Sequence, residues 1–409
     1  MSPPGQPEAG RVTVPAPAPH AGRGLAAIFG ATFCELVGVF MLTPLLLLRL
    51  KDAGVSTALA GLFAATGWVG IFLVTPLASA VTQQLGRRPT LWLSAAVPVV
   101  TAAGFGLTDH LPTWFLLNLI AGMAGGLRWV LAEAIVAEFA PAHRRGQMVG
   151  LFETMVGATF VIGPALLAAV GSTGDAALWI AFGWLLAGLL WTALIPQLPG
   201  AGDQHSASVG WRGVWHALKA HPLIMAVGFI GGFFESGLTS ILPLYGLALG
   251  LGAAAAALLV SASGLGSALM MLPAGMLADR MAHHPQGRWG NEAHARLLLM
   301  RLCAIITLMA TLVIPFVAGT PWLAAPVAFV WGGAGGCLYT LAMIDIGSRE
   351  EGITLVNSTA VLVLSYTAGG VLAPALGGVA LQWSPALGFP ALLLFTAMLG
   401  VWLLRREPR

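Results

Sequence analysis

Long apolar segments separated by short polar ones follow each other along the chain from about residue 25 onward. Each apolar segment has about 20 residues or more, which is the length an α-helix needs to cross roughly 30 Å of hydrocarbon. The pattern therefore predicts an all-α membrane protein with twelve transmembrane helices. We place these spans at residues 25–49, 57–80, 90–108, 113–138, 147–170, 176–197, 222–249, 254–278, 296–318, 322–346, 354–381 and 385–404.

The composition agrees with a membrane protein and excludes an ordinary cytosolic enzyme. Of the 409 residues, 57% are hydrophobic and only 9% are charged, whereas about a quarter of the residues of a soluble protein are charged. The net charge of +3 is small and gives no reason to expect a nucleic-acid partner. The three cysteines lie in apolar segments and the nine histidines lie outside them. We therefore expect no disulfide, no metal site and no cofactor.

Polar segments divide the chain into two sets of six spans. Residues 1–24 are rich in proline, alanine and glycine, which is typical of a disordered tail and not of a cleaved signal peptide. The longest polar connection, residues 198–221, separates a six-helix half at 25–197 from a second half at 222–404, and residues 405–409 form another tail. The second part of that connection has apolar residues at helical spacing. It is either a plain linker or an amphipathic helix on the membrane surface.

Lysine and arginine are distributed unequally between the two sides of the predicted membrane. Positively charged loops remain on the cytoplasmic side, so both termini are predicted to be cytoplasmic in a multi-pass protein of the inner (plasma) membrane. The opposite side carries only Arg49 and Lys51. The cytoplasmic side carries Arg11, Arg23, Arg87, Arg88, Arg144, Arg145, Arg212, Lys219, Arg280, Arg288, Arg296, Arg349, Arg405, Arg406 and Arg409.

The second half of the sequence repeats the first. Small residues of the fourth span recur in the tenth at an offset of 210, and the same offset relates prolines of the fifth and eleventh spans. A Phe-x-Glu pair recurs at an offset of 200 near the start of each half. Small residues allow transmembrane helices to approach closely, so we expect both copies to be helix contacts. The matching pairs are Gly122 and Gly332, Ala124 and Ala334, Gly125 and Gly335, Gly126 and Gly336, Leu131 and Leu341, Ala132 and Ala342, Pro164 and Pro374, Phe33 and Phe233, and Glu35 and Glu235.

Two loops resemble the signature of the major facilitator superfamily, Gly-x-Leu-Ala-Asp-Arg-x-Gly-Arg-Arg. The copy between spans two and three reads SAVTQQLGRRP and has Ser79 and Gln83 where glycine and aspartate are usual. The copy between spans eight and nine reads GMLADR. The residues that fit the signature are Gly86, Arg87, Arg88, Gly275, Asp279 and Arg280. The segments GGLRWVLAEAIVAEFAPAHRRGQMVGLFETMVGATFVIGPAL and LVLSYTAGGVLAPALGG are most similar to the YcaD-like branch of that superfamily.

This resemblance implies two six-helix bundles around a central cavity lined by spans one, four, seven and ten. It also implies that a loop aspartate fastens one half to the other through a helix end. Gln83 cannot supply a charge for this contact, whereas Asp279 can favour the positive N-terminus of a helix. Asn118 replaces the arginine of a further signature in span four, and Gly163 and Pro164 keep only part of a motif frequent in antiporters. The direction of transport is therefore left open.

Three charged residues are predicted near the middle of cavity-lining spans. Glu35 and Arg128 each lie about 10 residues, or roughly 15 Å, from the cytoplasmic ends of their spans, and Glu235 lies about 13 residues into span seven. Because buried charges cost several kcal/mol, we predict a switchable ion pair between Glu35 and Arg128. Glu235 has no basic residue at its depth, so we expect it to be often protonated. Glu35 and Glu235 are the predicted proton-coupling residues, and all three side chains could share one chamber, where Arg128 either contacts a substrate carboxylate or only neutralises Glu35.

Further polar and aromatic residues of these spans are secondary candidates. Glu133 points away from Arg128, because five residues correspond to about 140° around a helix. A gating role for Glu133, for example with Arg144 or Arg145, is favoured over contact with substrate. The acids with the same ambiguity, for which we expect loop arginines as partners, are Glu153 and Asp345. The aromatic residues that could stack on a planar or cationic solute, or simply pack, are Trp129, Tyr245, Tyr339 and Tyr366.

Together these features predict a secondary active transporter, proton-coupled and working by alternating access. No nucleotide-binding loop of the Gly-x-x-x-x-Gly-Lys-Ser type occurs in the sequence, so a gradient would supply the energy. One arginine against as many as five acids within the spans favours a proton, a cation or a neutral drug-like solute over a multiply charged anion. Alternatives are metabolite uptake instead of efflux, and a non-transporting membrane sensor or assembly factor on the same fold. The expected partners are a small-molecule substrate, protons and lipid, with the protein a monomer and not an enzyme.

Overall fold

A computed structural model describes residues 21–55, 57–196, 208–237, 242, 245–246, 248–251, 253–282 and 292–405. Within these ranges the chain is helical and contains no strand. Of the predicted tail at 1–24, residues 1–20 lie outside these ranges. The helices are α1 (Ala21–Asp52), α2 (Thr57–Val74), α3 (Ala78–Leu85), α4 (Arg87–Leu107), α5 (Leu111–Phe139), α6 (Arg145–Val170), α7 (Ala176–Thr192), α8 (Gly210–Ala220), α9 (Pro222–Gly232), α10 (Ala253–Ala282), α11 (Glu292–Val317), α12 (Pro321–Arg349), α13 (Gly352–Trp383) and α14 (Gly388–Arg405).

The described helices account for the twelve predicted spans. Ten of them are long and apolar enough to cross a membrane, with α2 and α3 together forming one crossing. The helix α7 is apolar but has only 17 residues. The helix α9 follows α8 across a bend of 97°. With α7 and α9 as crossings, the predicted all-α fold of two six-helix bundles is confirmed.

The connection between the halves is partly helical. Residues 197–207 lie outside the described ranges, whereas α8 forms within the part that has apolar residues at helical spacing. Its buried residues are Gly210, Gly213, Val214 and Ala217, and this one-sided burial fits the amphipathic helix and not the plain linker. The predicted tail at 405–409 is described only at its first residue, Arg405, which ends α14.

Repeated small residues hold equivalent helices together in both halves. A β-carbon at Gly122 of α5 would meet the backbone of Gly67 in α2, and one at Gly332 of α12 would meet the backbone of Ser263 in α10. The expectation that both copies are helix contacts is confirmed for this pair. Near the same α2–α5 contact, Asn118 donates a hydrogen bond to the carbonyl oxygen of Phe63 at 2.7 Å.

The two halves meet at one end of the molecule, which we call the terminal face because α1 begins and α14 ends there. Near this face, residues 130–137 of α5, 331–347 of α12 and 355–363 of α13 are buried without interruption. Toward the opposite face, residues 111–123 of α5 are half-buried or exposed except for Trp114. The halves touch there, since a β-carbon at Gly347 of α12 would lie 2.6 Å from the β-carbon of Ala137 in α5. The molecule is therefore closed at the terminal face.

Helices α6 and α10 form the closest seam between the halves. A β-carbon at Gly146 would meet the carbonyl oxygen of Gly275, and a β-carbon at Gly275 would meet that of Gly146. Farther along the seam, Thr154 donates a hydrogen bond to the carbonyl oxygen of Ala268 at 2.9 Å. This packing requires glycine at both positions of the first contact, because any side chain would push the two backbones apart.

Candidate functional site

The aspartate of the second loop motif joins the two halves at the terminal face. The backbone N–H groups of Gly146 and Gln147 donate hydrogen bonds to the two carboxylate oxygens of Asp279, each at 2.8 Å. These amides belong to the first turn of α6, where backbone donors are free and the helix dipole favours a negative charge. The expected contact between Asp279 and a helix N-terminus is thus present.

The first copy of the motif makes a different contact. Ser79, which stands in the usual glycine position, accepts a hydrogen bond from the backbone N–H of Gly210 at 2.9 Å. This bond ties α3 to the start of α8. Gln83 is exposed, and Gly86, with φ of +88°, makes the turn between α3 and α4. The first copy therefore holds the connecting helix through a neutral hydroxyl group.

The basic residues of the motif remain within their own halves or in solvent. Arg87 binds both carboxylate oxygens of Glu138 at 3.0 and 2.5 Å, which joins the start of α4 to the end of α5. Arg88 donates a weak hydrogen bond of 3.5 Å to the carbonyl oxygen of Ala193. Arg280 is exposed. Among these residues, Arg87 makes the buried contact, and Asp279 makes the contact between the halves.

The predicted ion pair between Glu35 and Arg128 is present. Arg128 Nε lies 3.2 Å from Glu35 Oε2, and the two side chains are only 4% and 5% exposed. Arg128 also donates a hydrogen bond of 3.2 Å to the hydroxyl group of Thr192, which in turn donates to the carbonyl oxygen of Gly188 at 2.9 Å. The pair is therefore enclosed by α1, α5 and α7.

The contacts of this pair lie in the first half of the chain. A β-carbon placed at Gly188 would lie 3.2 Å from the β-carbon of Glu35, so α7 packs directly against the acid. In the described part of the chain, the recorded polar partners of Glu35 and Arg128 all come from α1 to α7. The contacts of Glu35 and Arg128 are thus separate from those of Glu235, which lie in the second half.

Glu133 lies outside this ion pair and reaches across to the other half. The indole N–H of Trp129 donates a hydrogen bond to Glu133 Oε1. The hydroxyl group of Tyr339, on α12, lies 2.7 and 2.6 Å from the two carboxylate oxygens. Glu133 is 2% exposed, so this buried carboxylate connects α5 with α12.

The suggested basic partners of Glu133 are wrong. Arg145 Nε donates instead to the carbonyl oxygen of Ala137 at 3.0 Å, and Arg144 is exposed. Glu133 and Arg128 do face different directions, as predicted from their spacing, because their contacts lie on different helices. The last turn of α5 supplies Arg145 with a backbone acceptor, whereas Glu133 lies farther inside the helix.

Glu235 occupies a local widening of its helix. Residues Phe233–Gly237 form a π-helical turn directly after α9, a feature that frequently occurs at functional sites. Ser267 of α10 donates a hydrogen bond to Glu235 Oε1, and Tyr366 of α13 donates to Oε2 at 3.1 Å. Glu235 is therefore held by hydroxyl groups from two helices of the second half, α10 and α13.

Aromatic rings connect Glu133 with Glu235. The ring centroid of Tyr366 lies 4.8 Å from that of Tyr339 and 5.9 Å from that of Trp129, with edge-to-face geometry in both pairs. Each of these three side chains also donates a hydrogen bond to one of the two carboxylates, through an indole N–H or a hydroxyl group. Both acids are thereby linked through a continuous series of contacts between the halves.

Glu153 is the third acid of this region. It is 6% exposed, and its Oε1 has no hydrogen-bond partner in the described structure. It interacts electrostatically with both Glu133 and Glu235. The expectation that a loop arginine is its partner is wrong, because Glu153 lies two turns inside α6 and faces other acids. The same expectation is confirmed for Asp345, whose carboxylate contacts Arg296 at 3.1 Å and Arg349 at 3.0 Å.

These residues form one site, which we call the inter-half cluster. It contains three carboxylates, and none of them takes part in an ion pair with a described residue. Hydroxyl and indole donors can stabilise a carboxylate without neutralising it. The arrangement can therefore hold a proton or attract a cation. Its members are Trp129, Glu133, Glu153, Glu235, Ser267, Tyr339 and Tyr366.

Several of these roles could not be predicted from the sequence. One of the aromatic candidates, Tyr245, lies outside the inter-half cluster. Tyr245 is 1% exposed and packs against the ring of Phe389 at 4.8 Å. Ser267 and Thr192 gave no signal of their own in the sequence. The offset of 210 was informative, since it relates Trp129 to Tyr339, and both of these residues donate to Glu133.

Comparisons with known proteins match this architecture. Residues 28–351 fit the sequence profile described as Major Facilitator Superfamily. The uncharacterized MFS-type transporter YfkF of Bacillus subtilis is 23% identical over 83% of each chain, and YcaD of Salmonella typhi is 25% identical over 85% of this chain and 86% of its own. Neither name includes a substrate.

Solved structures show the same fold. The transporter FucP in an outward conformation aligns with a TM-score of 0.74 at 16% identity, over 94% of this chain and 99% of its own. The human organic anion transporter MFSD10 aligns with a TM-score of 0.72 at 18% identity, over 94% of this chain and 100% of its own. At these identities the similarity concerns the fold alone.

Proposed function

Because the chain belongs to the major facilitator superfamily, whose members are secondary transporters, we propose that it moves a small cationic or neutral organic solute in exchange for, or together with, protons. The inter-half cluster is the observation that carries this proposal. It places acids of both halves in one connected site. In a transporter that works by rocking its halves, such a site changes its geometry during every cycle.

The charge of the cluster supports coupling to protons or cations. An ionised carboxylate deep in a bilayer costs several kcal/mol unless it is compensated. Glu133, Glu153 and Glu235 are recorded with no cationic partner among the described residues. Binding of a proton or of a cationic solute removes this cost, and the two can replace each other. A multiply charged anion would add to it.

Each side chain has a defined role in this proposal. Glu235 carries the proton, and Glu133 and Glu153 hold the solute or a second proton. Trp129, Tyr339 and Tyr366 supply aromatic faces for a planar or cationic solute. Glu35 is the second coupling candidate and acts only if its contact with Arg128 opens as the halves move.

We assign the terminal face to the cytoplasm, with both termini there and the protein in the inner membrane. The excess of lysine and arginine on that side supports this orientation. The closed terminal face would then make the described state open to the outside. To reach the other state, the molecule must open at the terminal face. This requires the Asp279 contact and the bond between Glu133 and Tyr339 to break, since both join the two halves.

Transport in proteoliposomes tests the proposal. A thermal-shift screen of metabolites and drug-like cations at two pH values identifies a solute, with ethidium as the first probe. Uptake of that solute is then measured under an imposed pH gradient. We expect E235Q to lose gradient-driven uptake while the protein remains folded, and E35Q to do so if the ion pair takes part. The matched control is D52N, which removes an exposed acid outside the cluster.

The outcomes separate the alternatives. Full gradient-driven uptake by both E235Q and E35Q would end the assignment of these acids to coupling. Reversal of the gradient distinguishes efflux from uptake. A wild-type protein that binds a solute but moves none under any gradient would instead be a sensor built on a transporter fold.

A further inference from the structure

The connecting helix α8 has three distinct sides. Its inner side, with Val214 and Ala217, is buried against the protein. Trp211 and Trp215 lie one turn apart and are 62% and 58% exposed. At 100° per residue, the exposed residues Arg212, His216 and Lys219 form a stripe next to these tryptophans. A row of tryptophans beside a row of basic residues is typical of helices at a membrane surface.

The orientation of α8 agrees with such a position. The helix is bent by 97° from α9, which is the following membrane crossing. It therefore runs across the helix axes at the terminal face, in the plane where lipid headgroups lie. The ammonium group of Lys219 lies 5.3 Å from the centre of the Trp215 ring. This contact keeps the basic stripe adjacent to the exposed indole.

The start of α8 is attached to both halves of the molecule. The backbone N–H of Gly210 donates to the hydroxyl group of Ser79, on α3 in the first half, at 2.9 Å. The side-chain amide of Asn357, on α13 in the second half, donates to the carbonyl oxygen of Ser208 at 2.8 Å. Gly213 lies directly against that amide group, where a β-carbon has no space. The helix thus bridges α3 and α13 while the terminal face is closed.

We propose that α8 binds anionic lipid headgroups and that this binding stabilises the closed terminal face. Arg212 and Lys219 attract the headgroups, and Trp211 and Trp215 anchor the helix at the hydrocarbon boundary. Because the same helix is attached to Ser79 and Asn357, holding it in the membrane plane holds α3 and α13 together. The negative charge of the surrounding lipid then sets the balance between the two transport states.

Lipid binding is the first test. The full-length protein in detergent is titrated with phosphatidylglycerol or phosphatidylcholine, and bound lipids are counted by native mass spectrometry. A cation near an anionic surface contributes about fivefold to binding. We therefore expect R212Q/K219Q to bind phosphatidylglycerol about 25-fold more weakly and phosphatidylcholine as before. The matched control R144Q/R405Q removes two exposed arginines of the same face and should keep wild-type binding.

The conformational effect is the second test. Spin labels on Q84C and T354C, exposed positions of α3 and α13, report the distance across the terminal face. The half-buried Cys303 is replaced by serine beforehand, whereas Cys34 and Cys337 are buried. In nanodiscs, 30 mol% phosphatidylglycerol should increase the short-distance population of the wild type and of R144Q/R405Q, but not of R212Q/K219Q.

Either measurement can overturn the proposal. Unchanged affinity for phosphatidylglycerol in R212Q/K219Q would show that α8 does not bind the lipid, and would point to a soluble partner or a second copy at this face. Lost affinity with identical distance distributions in neutral and anionic nanodiscs would show that α8 binds lipid without biasing the halves. Neither test uses a transported solute. Both therefore judge the lipid proposal independently of the transport assignment.

Discussion

Two buried acidic regions of this molecule differ in how their charge is balanced. Glu35 contacts Arg128 at 3.2 Å inside the first half. Glu133, Glu153 and Glu235 form no ion pair within the described chain, and the hydrogen bond between Glu133 and Tyr339 joins the two halves. The first region is compensated, and its contacts lie within the first half. The second region has no compensating cation among the described residues and lies where the two halves meet.

In the proposed alternating-access cycle, this difference separates stability from function. An ion pair between helices that move together has the same energy in both transport states and cannot distinguish them. A contact between halves exists in only one state, so protonation or ligand binding there shifts the balance between states. We therefore expect substitutions in the first region to affect folding and those in the second to affect state populations.

The largest effect is expected for R128A. Removal of the guanidinium group leaves the Glu35 carboxylate buried without a counter-charge, which costs about 3–5 kcal/mol when a buried pair is broken. The free energy of unfolding, measured by denaturant titration in detergent micelles, should fall by that amount. The double variant E35Q/R128Q removes both charges and should recover much of the loss. Normal stability of R128A combined with lost solute binding would make Arg128 a substrate contact.

The next effect is expected for Y339F, which probes the uncompensated region. The variant removes the hydroxyl donor that contacts both oxygens of Glu133. A hydrogen bond to a charged group contributes about 1.5–3 kcal/mol, here only in the closed state. The spin labels at positions 84 and 354 should report a larger open population. Y245F is the control, because Tyr245 packs within the second half. Equal populations in Y339F and wild type would make this bond irrelevant to closure.

A smaller shift in the same direction is expected for D279N. The asparagine keeps one acceptor oxygen for the first turn of α6 but loses the charge that favours the helix dipole, an effect of about 1 kcal/mol. The open population measured with the same labels should increase by roughly fivefold. Stability of the separate halves should not change, since the contact joins them. An unfolding free energy that falls with unchanged populations would contradict this interpretation.

The smallest effect is expected for S79A. This variant removes a neutral hydrogen bond between α3 and α8, which contributes about 0.5–1.5 kcal/mol. Because α8 is also attached to Asn357, part of the contact remains. The population shift should be smaller than for D279N, and a larger shift would show that the neutral motif copy dominates closure.

Hydrophobic pattern and loop motifs were sufficient to predict the fold. The apolar segments of the sequence predicted twelve helical crossings, because only helices satisfy backbone hydrogen bonds in lipid. The repeated glycines predicted the contacts of Gly122 and Gly332 correctly. The contact of Asp279 with a helix N-terminus was also predictable, since the motif fixed both the charge and its place at a helix end.

The inter-half cluster could be predicted only in part. The depth of each acid follows from its position along a span, but its direction depends on how the helix rotates in the packed structure. Glu153 was expected to face a loop arginine and instead faces other acids. The π-helical turn at Phe233–Gly237 also changes the direction of Glu235 relative to a regular helix. Glu35 and Glu235 are equivalent in the repeat, yet Arg128 corresponds to Leu338, so only one of them has a basic partner.

The glycine contact between α6 and α10 offers a practical way to trap the protein. At Gly146 and Gly275 the two backbones touch, so one methyl group at either position acts as a wedge. We expect G275A to hold the form that is open at the terminal face without inhibitor, nanobody or cross-link, and the labels at positions 84 and 354 would register it as a single long distance. A sample arrested in that form would give structural work access to the half of the proposed transport cycle that the closed terminal face hides.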